Sequence, residues 1–425
     1  MGAAPDRAAN AGRRILILGA AGGVASATLA LLERHPRGRA LLGAGDQLLL
    51  VDDNVPNADD DLRALPRPAN ARWLPPQRVD TGEDLAALVR EHRVDEVLEF
   101  AEVGTWACVE ACASEGASYL STAYDVWPAE APPGSPRAQT MIRARELFDP
   151  PDVHAGVHLV CMGMNPGLIN LVVAAGMREL AERSGRAPSL IDLDLHAILF
   201  TEVDSTTTEG PLPPADERFA CTWSPWSCLT ELLEDHSMIT VDGESRSLAH
   251  RPHEARYQAR CGHEQIEGFL VPHEELVTLG AMYPLVELGY IYRLPPAAMA
   301  SLRQVPERGP EQWPTARLYP PARSDLRGSN RLGALLCSRS LGELWIGWDT
   351  PVERALPLGT NATLLQVAAG VVAGWTLARE LEPGIWLPEE LDSQRLLALA
   401  QELLGPLEVI WDPHAPARAL SERRV

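Results

Sequence analysis

The chain has 425 residues and a formal net charge of −21 at pH 7, from 58 acidic and 37 basic side chains. This length exceeds what one simple hydrophobic core organises, so two domains are expected. The negative charge argues against a nucleic acid or an anionic membrane as partner and suits small cationic molecules. The composition is that of a globular protein, with 46% hydrophobic and 22% charged residues.

The sequence contains no lysine, since all 37 basic residues are arginine. Without lysine, no side chain can form a Schiff base with a carbonyl substrate or with pyridoxal phosphate. The GK[ST] sequence of a phosphate-binding P-loop is excluded as well. Any imine formed here must therefore join one substrate to another.

The cysteines and the N-terminus predict a cytoplasmic protein. Seven cysteines are scattered without a spacing pattern, which is typical of a reducing cytosol. The first residues include no apolar signal region, and no apolar run reaches the roughly 18 residues of a membrane span. No metal site is predicted, because the neighbouring zinc-ligand types have no standard spacing: His250, His253, Cys261 and His263.

The first half of the chain begins with a dinucleotide-binding pattern. Residues 14–18, RILIL, form a short apolar run of the kind found in buried parallel strands. The run leads through a turn with Gly19, Gly22, Gly23 and Val24 into a predicted helix. The glycines let the backbone approach a pyrophosphate at the helix N-terminus, where free N–H groups favour anions.

Asp52 and Asp53 follow the second apolar run, residues 47–51. An acid at the end of the second strand suits the ribose hydroxyls of NAD, whereas two acids there would repel the 2′-phosphate of NADP. The sequence therefore predicts NAD as the cofactor. The alternative is a strand end whose aspartates are simply solvated.

The alternation continues and predicts an α/β fold with a Rossmann-type doubly wound parallel sheet. Further strands are expected at residues 96–100, 118–121 and 157–162, helices at 83–93, 106–115 and 138–147, and a proline-rich loop at 128–136. Ligands of such sheets bind beyond the carboxyl ends of the strands. Thr122 lies at one of these ends and is assigned to the cofactor. Asn165 lies at another and is expected to reach the nicotinamide or the substrate, unless it is only a turn or N-cap residue.

A second domain of α+β type with a mainly antiparallel sheet is predicted after residue 190, covering the cofactor cleft. The sequence favours strands at residues 191–200, 237–241 and 265–271, a hairpin of 333–338 with 343–348, and a proline-rich surface segment at 306–321. An apolar helix at 361–381 should pack against the first domain, followed by two helices that end near residue 404 and a frayed tail after Pro413. The predicted organisation is a flexible tail at 1–12, the NAD-binding domain at 13–162, the substrate and dimerisation domain at 163–355, and C-terminal helices at 356–425.

Residues 200–231 combine two carboxylates with two indoles: Glu202, Trp223, Trp226 and Glu231. The face of an indole attracts an organic cation, by roughly 0.5–2 kcal/mol depending on desolvation. Each carboxylate adds a Coulomb attraction for an ammonium group. The segment therefore predicts a cation site, against the alternative that Trp223 is core and both acids are solvated.

Six segments, in register over nearly the whole chain, resemble segments of bacterial homospermidine synthases, relatives of saccharopine and carboxynorspermidine dehydrogenases. They are MNPGLIN, TEVDSTTT with ACTWS, GFLVPHEE, NATLLQVAAGVVAG, GIWLPEELD and LGPL, and Glu231 follows Trp223 of ACTWS by eight residues, as in the family. The resemblance implies a Rossmann domain with a substrate domain, a homodimer, and NAD that cycles within one turnover. It also implies a reaction in which an amine is oxidised to an imine, ammonia leaves, a second amine attacks, and the new imine is reduced.

The resemblance assigns catalytic roles to six residues. Trp223 would steady cationic intermediates with its ring face, and Glu202 and Glu231 would hold ammonium groups. Asn165, His273 and Glu275 would complete the pocket, and His273 could move protons near neutral pH.

Two departures from the family pattern affect the predicted substrate. The family's DTxxEPW run is STAYDVW here, so Asp125 stands where the family has glutamate. An acidic pair of the family is Asn330-Arg331 in this chain. We expect Arg331 near the cleft to attract a carboxylate, which predicts an amino acid instead of a diamine as one partner. Asp125, Asn330, Arg331 and Trp226 are the predicted substrate-binding residues.

Alternative functions remain open from the sequence. One is a net oxidoreductase of the saccharopine or carboxynorspermidine dehydrogenase type, acting on a secondary amine and releasing NADH. Others are a deaminating enzyme of specialised metabolism and a non-catalytic NAD-binding protein. The predicted catalytic residues argue against the last.

Overall fold

The computed structural model describes residues 12–53, 66–126, 144–209, 219, 221–234, 236–302 and 325–425. The predicted loop at 128–136, the proline-rich segment at 306–321 and all but the last residue of the predicted tail lie outside these ranges. The predicted helix at 138–147 is described only from residue 144, where a 3-10 helix spans Ala144–Phe148. Two sheets organise the described residues.

The first sheet has seven parallel strands, which confirms the predicted doubly wound α/β fold. Its order is β17-β6-β5-β4-β1-β2-β3. The strands are Arg14–Leu18 (β1), Gln47–Val51 (β2), Ala71–Trp73 (β3), Glu96–Glu99 (β4), Ser118–Ser121 (β5), Val157–Leu159 (β6) and Gly384–Trp386 (β17). The helices beside them are Gly23–Arg34 (α1), Pro36–Arg39 (α2), Gly82–His92 (α3) and Thr105–Ser114 (α4).

Burial on both faces explains why β1 and β2 are continuous apolar runs. Ile15, Leu16 and Ile17 have no exposed surface. The parallel register pairs Leu18 with Val51, so both strands end at the same edge of the sheet. The glycine turn and the Asp52-Asp53 pair therefore meet there, as the sequence predicts.

The second sheet has nine strands and is mixed. Its main order is β10-β9-β13-β7-β15-β16-β18, and the β11–β12 hairpin joins it through β13. The strands are Leu195–Asp204 (β7), Met238–Val241 (β9), Glu244–Ser247 (β10), Tyr257–Cys261 (β11), Glu264–Val271 (β12), Glu287–Arg293 (β13), Ser329–Ser338 (β15), Gly342–Pro351 (β16) and Glu408–Asp412 (β18). A separate pair is formed by Thr207–Thr208 (β8) and Leu326–Arg327 (β14). The helices of this half are Leu168–Ser184 (α5), Pro225–Leu233 (α6), Glu275–Met282 (α7) and Pro296–Leu302 (α8), with the 3-10 helix Pro252–Glu254.

The strand predicted at 191–200 is shifted along the chain. Residues 191–194 form a turn, with Asp194 in a left-handed conformation at φ 51°, and β7 begins at Leu195. The shift places Glu202 inside a strand whose ten residues are all buried. The carboxylate is therefore held by neighbours on both sides instead of lying in a loop.

The C-terminal segment differs most from the prediction. The helices are Val352–Ala355 (α9), Ala362–Ala378 (α10) and Ser393–Leu404 (α11), with 3-10 helices at Leu356–Leu358, Pro388–Glu390 and Leu420–Arg423. β17 pairs with β6 in the first sheet, and β18 pairs with β16 in the second. The prediction of a frayed tail after Pro413 is wrong, because Leu420 and Arg423 are 4% and 1% exposed.

Helix α10 joins the two halves. It is buried along most of its length and packs against α1. At Gly370 it lies so close to the turn after β6 that an added Cβ would come 1.9 Å from the carbonyl oxygen of Gly163. No single helix of the described chain is both long enough and apolar enough to cross a membrane. Within the described ranges, only the pair formed by residues 352–358 and α10 reaches that length and apolarity, and this pair is bent by 70° at its break.

Candidate active site

A cleft of about 1130 Å³ lies where the carboxyl edge of the first sheet meets the second sheet. Nine of the predicted site residues line it: Gly22, Gly23, Val24, Thr122, Asn165, Glu202, Trp223, Glu231 and His273. The glycine turn and Trp223 therefore share one cavity, although some 200 residues separate them in the sequence.

The glycine turn is built for close approach by a ligand. Gly19 has φ 76°, and a Cβ there would lie 2.8 Å from the backbone of Phe100. Gly22 is the N-cap of α1, and no side chain caps the helix. The helix N-terminus faces the cleft through Gly22 and Gly23, an arrangement that attracts phosphate.

A second cavity of about 850 Å³ continues on the other side of this turn. Gly19, Asp52 and Asp53 line it, with Arg78 and Glu102. The Asp52 carboxylate accepts a hydrogen bond of 2.9 Å from the backbone N–H of Ala21. The two cavities therefore lie on either side of a turn that suits phosphate binding. The acids lie where the sugar hydroxyls of a dinucleotide would bind.

Glu202 is held in the wall of the cleft by two donors. Its Oε1 accepts from Asn330 Nδ2 at 2.8 Å, and its Oε2 accepts from the Tyr290 hydroxyl. Burial raises the pKa of Glu202 to about 7, although both hydrogen bonds and nearby His273 favour the charged form. A carboxylate with this pKa can exchange a proton near neutral pH.

Asn330 lies behind Glu202 and not in the lining of the cleft. It is 1% exposed, and its Nδ2 also contacts Gln366 Oε1 at 3.0 Å. Gln366 in turn donates to Thr350 and to the Asn330 carbonyl. The structure therefore makes Asn330 a support for Glu202, whereas the sequence predicted contact with substrate.

His273 lies among carboxylates that favour its charged form. Its Nδ1 donates to Glu275 at 2.9 Å and lies 3.5 Å from Glu274. Burial alone would lower the pKa of His273, but Glu275, Glu274 and Glu231 raise it to about 10. By distance the donor atoms of His273, Glu274 and Glu275 could also ligate a metal ion, since they lie within 4.8 Å of one another.

Glu274, and not the predicted Glu275, lines the cleft. Glu275 has no exposed surface and acts through its hydrogen bond to His273. Glu231, on α6, is 3% exposed and also lines the cleft. The wall formed by α6 and α7 is therefore anionic.

Trp223 lies at the start of α6, and a buried polar network fixes its backbone. Asn361 caps α10 and donates to the Thr222 carbonyl at 2.7 Å. The Thr222 hydroxyl donates to Asp204 at 2.5 Å. Both contacts place the indole beside the cleft, in contact with the core but not inside it.

Three predicted substrate-binding residues lie elsewhere. Arg331 does not line the cleft, because successive strand side chains point to opposite faces and Asn330 faces inwards. It pairs with Asp349 at 2.5 Å, so the expectation that it draws a carboxylate into the cleft is wrong. Trp226 is 43% exposed and Asp125 contacts Thr105 through its backbone; neither belongs to the cleft lining.

Two tyrosines of the lining, Tyr290 and Tyr292 on β13, were not predicted from the sequence. The run LGYIY between Glu287 and Arg293 is continuously apolar and of strand length, and this pattern would have found β13. It would not have told a cleft tyrosine from a core tyrosine.

Comparison with known proteins gives a match in structure only. No protein-family model matches the chain, and no curated protein matches it. The crystal structure of homospermidine synthase from Legionella pneumophila, in complex with NAD, covers 94% of this chain and 92% of that one, with a TM-score of 0.78 and 20% identity. Two other solved structures are too different in fold to support an inference. The crystal structure of Ari2 covers 93% of this chain and 98% of that one at 11% identity and a TM-score of 0.30. UDP-glucose 4-epimerase of Thermotoga maritima covers 26% and 37% at 18% identity and a TM-score of 0.19. The chain therefore has the fold of homospermidine synthase along nearly its whole length, and the resemblance predicted from the sequence is confirmed at the level of the fold.

Proposed function

We propose that this protein binds NAD across its two cavities. The pyrophosphate would lie on the turn formed by residues 19–23, where no side chain caps the N-terminus of α1. The ribose hydroxyls would meet Asp52, and the nicotinamide would extend into the cleft beside Asn165. The solved homospermidine synthase of the same fold holds NAD, which supports this assignment.

The proposed reaction joins two amines with loss of ammonia and no net oxidation. When bound, NAD would supply the hydride acceptor and, once reduced, the hydride donor. Glu202 takes the proton from a substrate ammonium, which must become a neutral amine before it can lose a hydride; its pKa of about 7 suits this step. The absence of lysine from the sequence supports an imine formed between substrates.

The side chains of the cleft favour cationic intermediates. The ring face of Trp223 would stabilise the iminium by about 0.5–2 kcal/mol. Glu231 and Glu274 would hold the distal ammonium of a diamine, with His273 kept in place by Glu275. The observation that carries the proposal is that a glycine turn, an indole and three carboxylates line one cavity.

Diamines are favoured over amino acids as partners. Arginine is absent from the described lining of the cleft, and Arg331 is paired with Asp349 on the other face of the sheet. A substrate carboxylate would therefore meet Glu231 and Glu274 without a matching cation other than His273. Two ammonium groups meet complementary charge.

To test the proposal, the purified protein is incubated with NAD and a panel of diamines and amino acids. One of the diamines carries deuterium on the two carbons that are bonded to its nitrogens. We expect mass spectrometry to detect a secondary amine formed from two diamines, ammonia in equal amount, and deuterium retained in the product. NADH should not accumulate. Steady NADH release would indicate the net oxidoreductase, and an amino acid in the product would overturn the preference for diamines.

A further inference from the structure

The Tyr290 hydroxyl links two residues of the cleft and its ring contacts a third. Asn165 Nδ2 donates to the hydroxyl at 2.8 Å, and the hydroxyl donates to Glu202 Oε2. The ring of His273 stacks on the tyrosine ring, with centroids 4.7 Å apart and planes 28° apart. Tyr290 is 1% exposed and lines the cleft itself.

We infer that Tyr290 is a positioning residue of the proposed reaction: its hydroxyl fixes the Glu202 carboxylate and the Asn165 amide against the same wall of the cleft, and its ring fixes the His273 imidazole. The inference rests on the proposed function for its chemical meaning. The contacts come from three separate parts of the chain, namely β7, the turn before α5 and the turn before α7. One side chain on β13 thus sets the relative position of all three.

The hydrogen bond has a direction that determines what Tyr290 does to Glu202. Asn165 donates to the phenol oxygen, so the phenol proton is left for Glu202. A donor to a carboxylate favours its charged form. Burial and the charge of Glu202 raise the pKa of Tyr290 well above its usual value, so the phenol keeps its proton over the working range. Removing the hydroxyl should therefore make Glu202 harder to ionise.

Glu202 has several other titratable neighbours, and these stay in place when the hydroxyl is removed. They are Asp204 on β7, His273 before α7, Tyr292 on β13, Cys261 on β11 and Cys228 on α6. Asn330 also continues to donate to Oε1. Any change in the ionisation of Glu202 can then be attributed to the lost phenol.

Tyr290→Phe is the test, and Tyr292→Phe is a matched control. Tyr292 lies two residues along the same strand, lines the same cleft and is 3% exposed. Its hydroxyl has no hydrogen-bond partner among the described residues. The two variants therefore lose the same atom from the same strand, but only the first loses contacts to Asn165 and Glu202.

The first measurement is the pH profile of kcat/KM for a diamine in the presence of NAD. We expect an acid limb near pH 7 in the unaltered protein and in Tyr292→Phe, and a limb about one pH unit higher in Tyr290→Phe. At about pH 6 the Tyr290→Phe value should fall roughly tenfold, with a smaller loss at about pH 9. Ionisation of the substrate is common to all three proteins and cancels in the comparison.

The second measurement is urea unfolding as a function of pH, which requires no turnover. Because the pKa of Glu202 is higher in the folded than in the unfolded protein, protonated Glu202 adds to the free energy of unfolding. This contribution is complete below about pH 4.5 and is lost as pH rises through about 7. In Tyr290→Phe this loss should extend about one pH unit further.

An acid limb and a stability profile of Tyr290→Phe that coincide with those of the control overturn the inference. So does an equal loss of kcat/KM at every pH, which is what simple damage to the cleft predicts. If no diamine is turned over by the unaltered protein, the proposed function fails, and the urea profile alone still decides whether the phenol holds Glu202.

Discussion

At the scale of single residues, the cleft depends on side chains that can bind an organic cation: an indole and carboxylates. Glu202, Trp223 and Glu231 line the cleft. They could be found from the sequence because few residue types bind a cation and those types stand out. Arg331 was misplaced because alternation along a strand sends neighbours to opposite faces, so Asn330 and Arg331 could not both reach the site. Tyr290 was missed because a tyrosine in a strand resembles ordinary core.

Trp223 provides the direct residue-scale prediction. Trp223→Phe keeps an aromatic face of weaker attraction, and Trp223→Leu removes it. We expect kcat to fall roughly tenfold for phenylalanine and at least thirtyfold for leucine, since about 2 kcal/mol of cation–π attraction in a desolvated site corresponds to that factor. Steady-state kinetics with a diamine and NAD measures both values.

The control is Trp411→Phe, on β18 and outside the cleft lining. It should behave as the unaltered protein. Equal kcat values for the phenylalanine and leucine variants of Trp223 would show that the indole contributes shape and not ring charge.

At the scale of elements, apolar runs predicted five of the seven strands of the first sheet, and β3 and β17 were missed. β1 and β2 have the predicted bounds because a strand buried on both faces must be apolar throughout. β3 and β17 have three residues each and leave no periodic pattern to detect. Their pairing is decided by the sheet edge they meet, which is tertiary information.

Helix α10 carries an element-scale prediction at Gly370. Glycine to alanine within a helix normally stabilises by about 1 kcal/mol. Here the added Cβ would lie 1.9 Å from the carbonyl oxygen of Gly163, in the turn that leads to Asn165. Gly370→Ala should therefore lower the free energy of unfolding by about 1–3 kcal/mol and reduce turnover.

Urea unfolding and kinetics of Gly370→Ala check both effects. Thr376→Ala, on the same helix and half-buried, is the control and should change stability by less than about 0.5 kcal/mol. A stabilised Gly370→Ala would mean that α10 and the Gly163 turn are further apart than the structure has them.

At the scale of the whole molecule, the segment after Pro413 is the part that sequence patterns described worst. It was expected to be a frayed end, as chain termini often are. In the structure Arg423 is buried and donates to Glu343 at 2.6 Å, so its guanidinium is paired with a carboxylate of the second sheet. A polar residue that finds a buried partner cannot be told from a solvated one without the fold.

Arg423→Met should destabilise the protein by roughly 3–5 kcal/mol, because the buried Glu343 carboxylate loses its hydrogen-bonded cation and keeps, among the described residues, only Arg260, at 3.8 Å. The double variant Arg423→Met with Glu343→Leu removes both charges and should recover most of that loss. Chemical unfolding of the two variants measures the difference. If the double variant is no more stable than the single one, packing at Arg423 and not the unpaired charge is responsible.

The stability of the whole molecule should also depend on His273 above neutral pH. Its pKa is near 6.5 when unfolded and about 10 when folded, because carboxylates surround it. A raised folded pKa contributes stability that is full below about pH 6.5 and disappears as pH rises through about 10. The free energy of unfolding of the unaltered protein should therefore fall by about 2–4 kcal/mol between about pH 7 and pH 10. His273→Asn should not show this fall. Cysteines ionise in this range in the unfolded chain but are common to both proteins, so the difference between the two urea profiles isolates His273.

The control is His154→Asn, because the side chain of His154 is 83% exposed, and this variant should follow the unaltered protein. If the profile of His273→Asn has the same slope as that of the unaltered protein, the imidazole is not charged among its carboxylates.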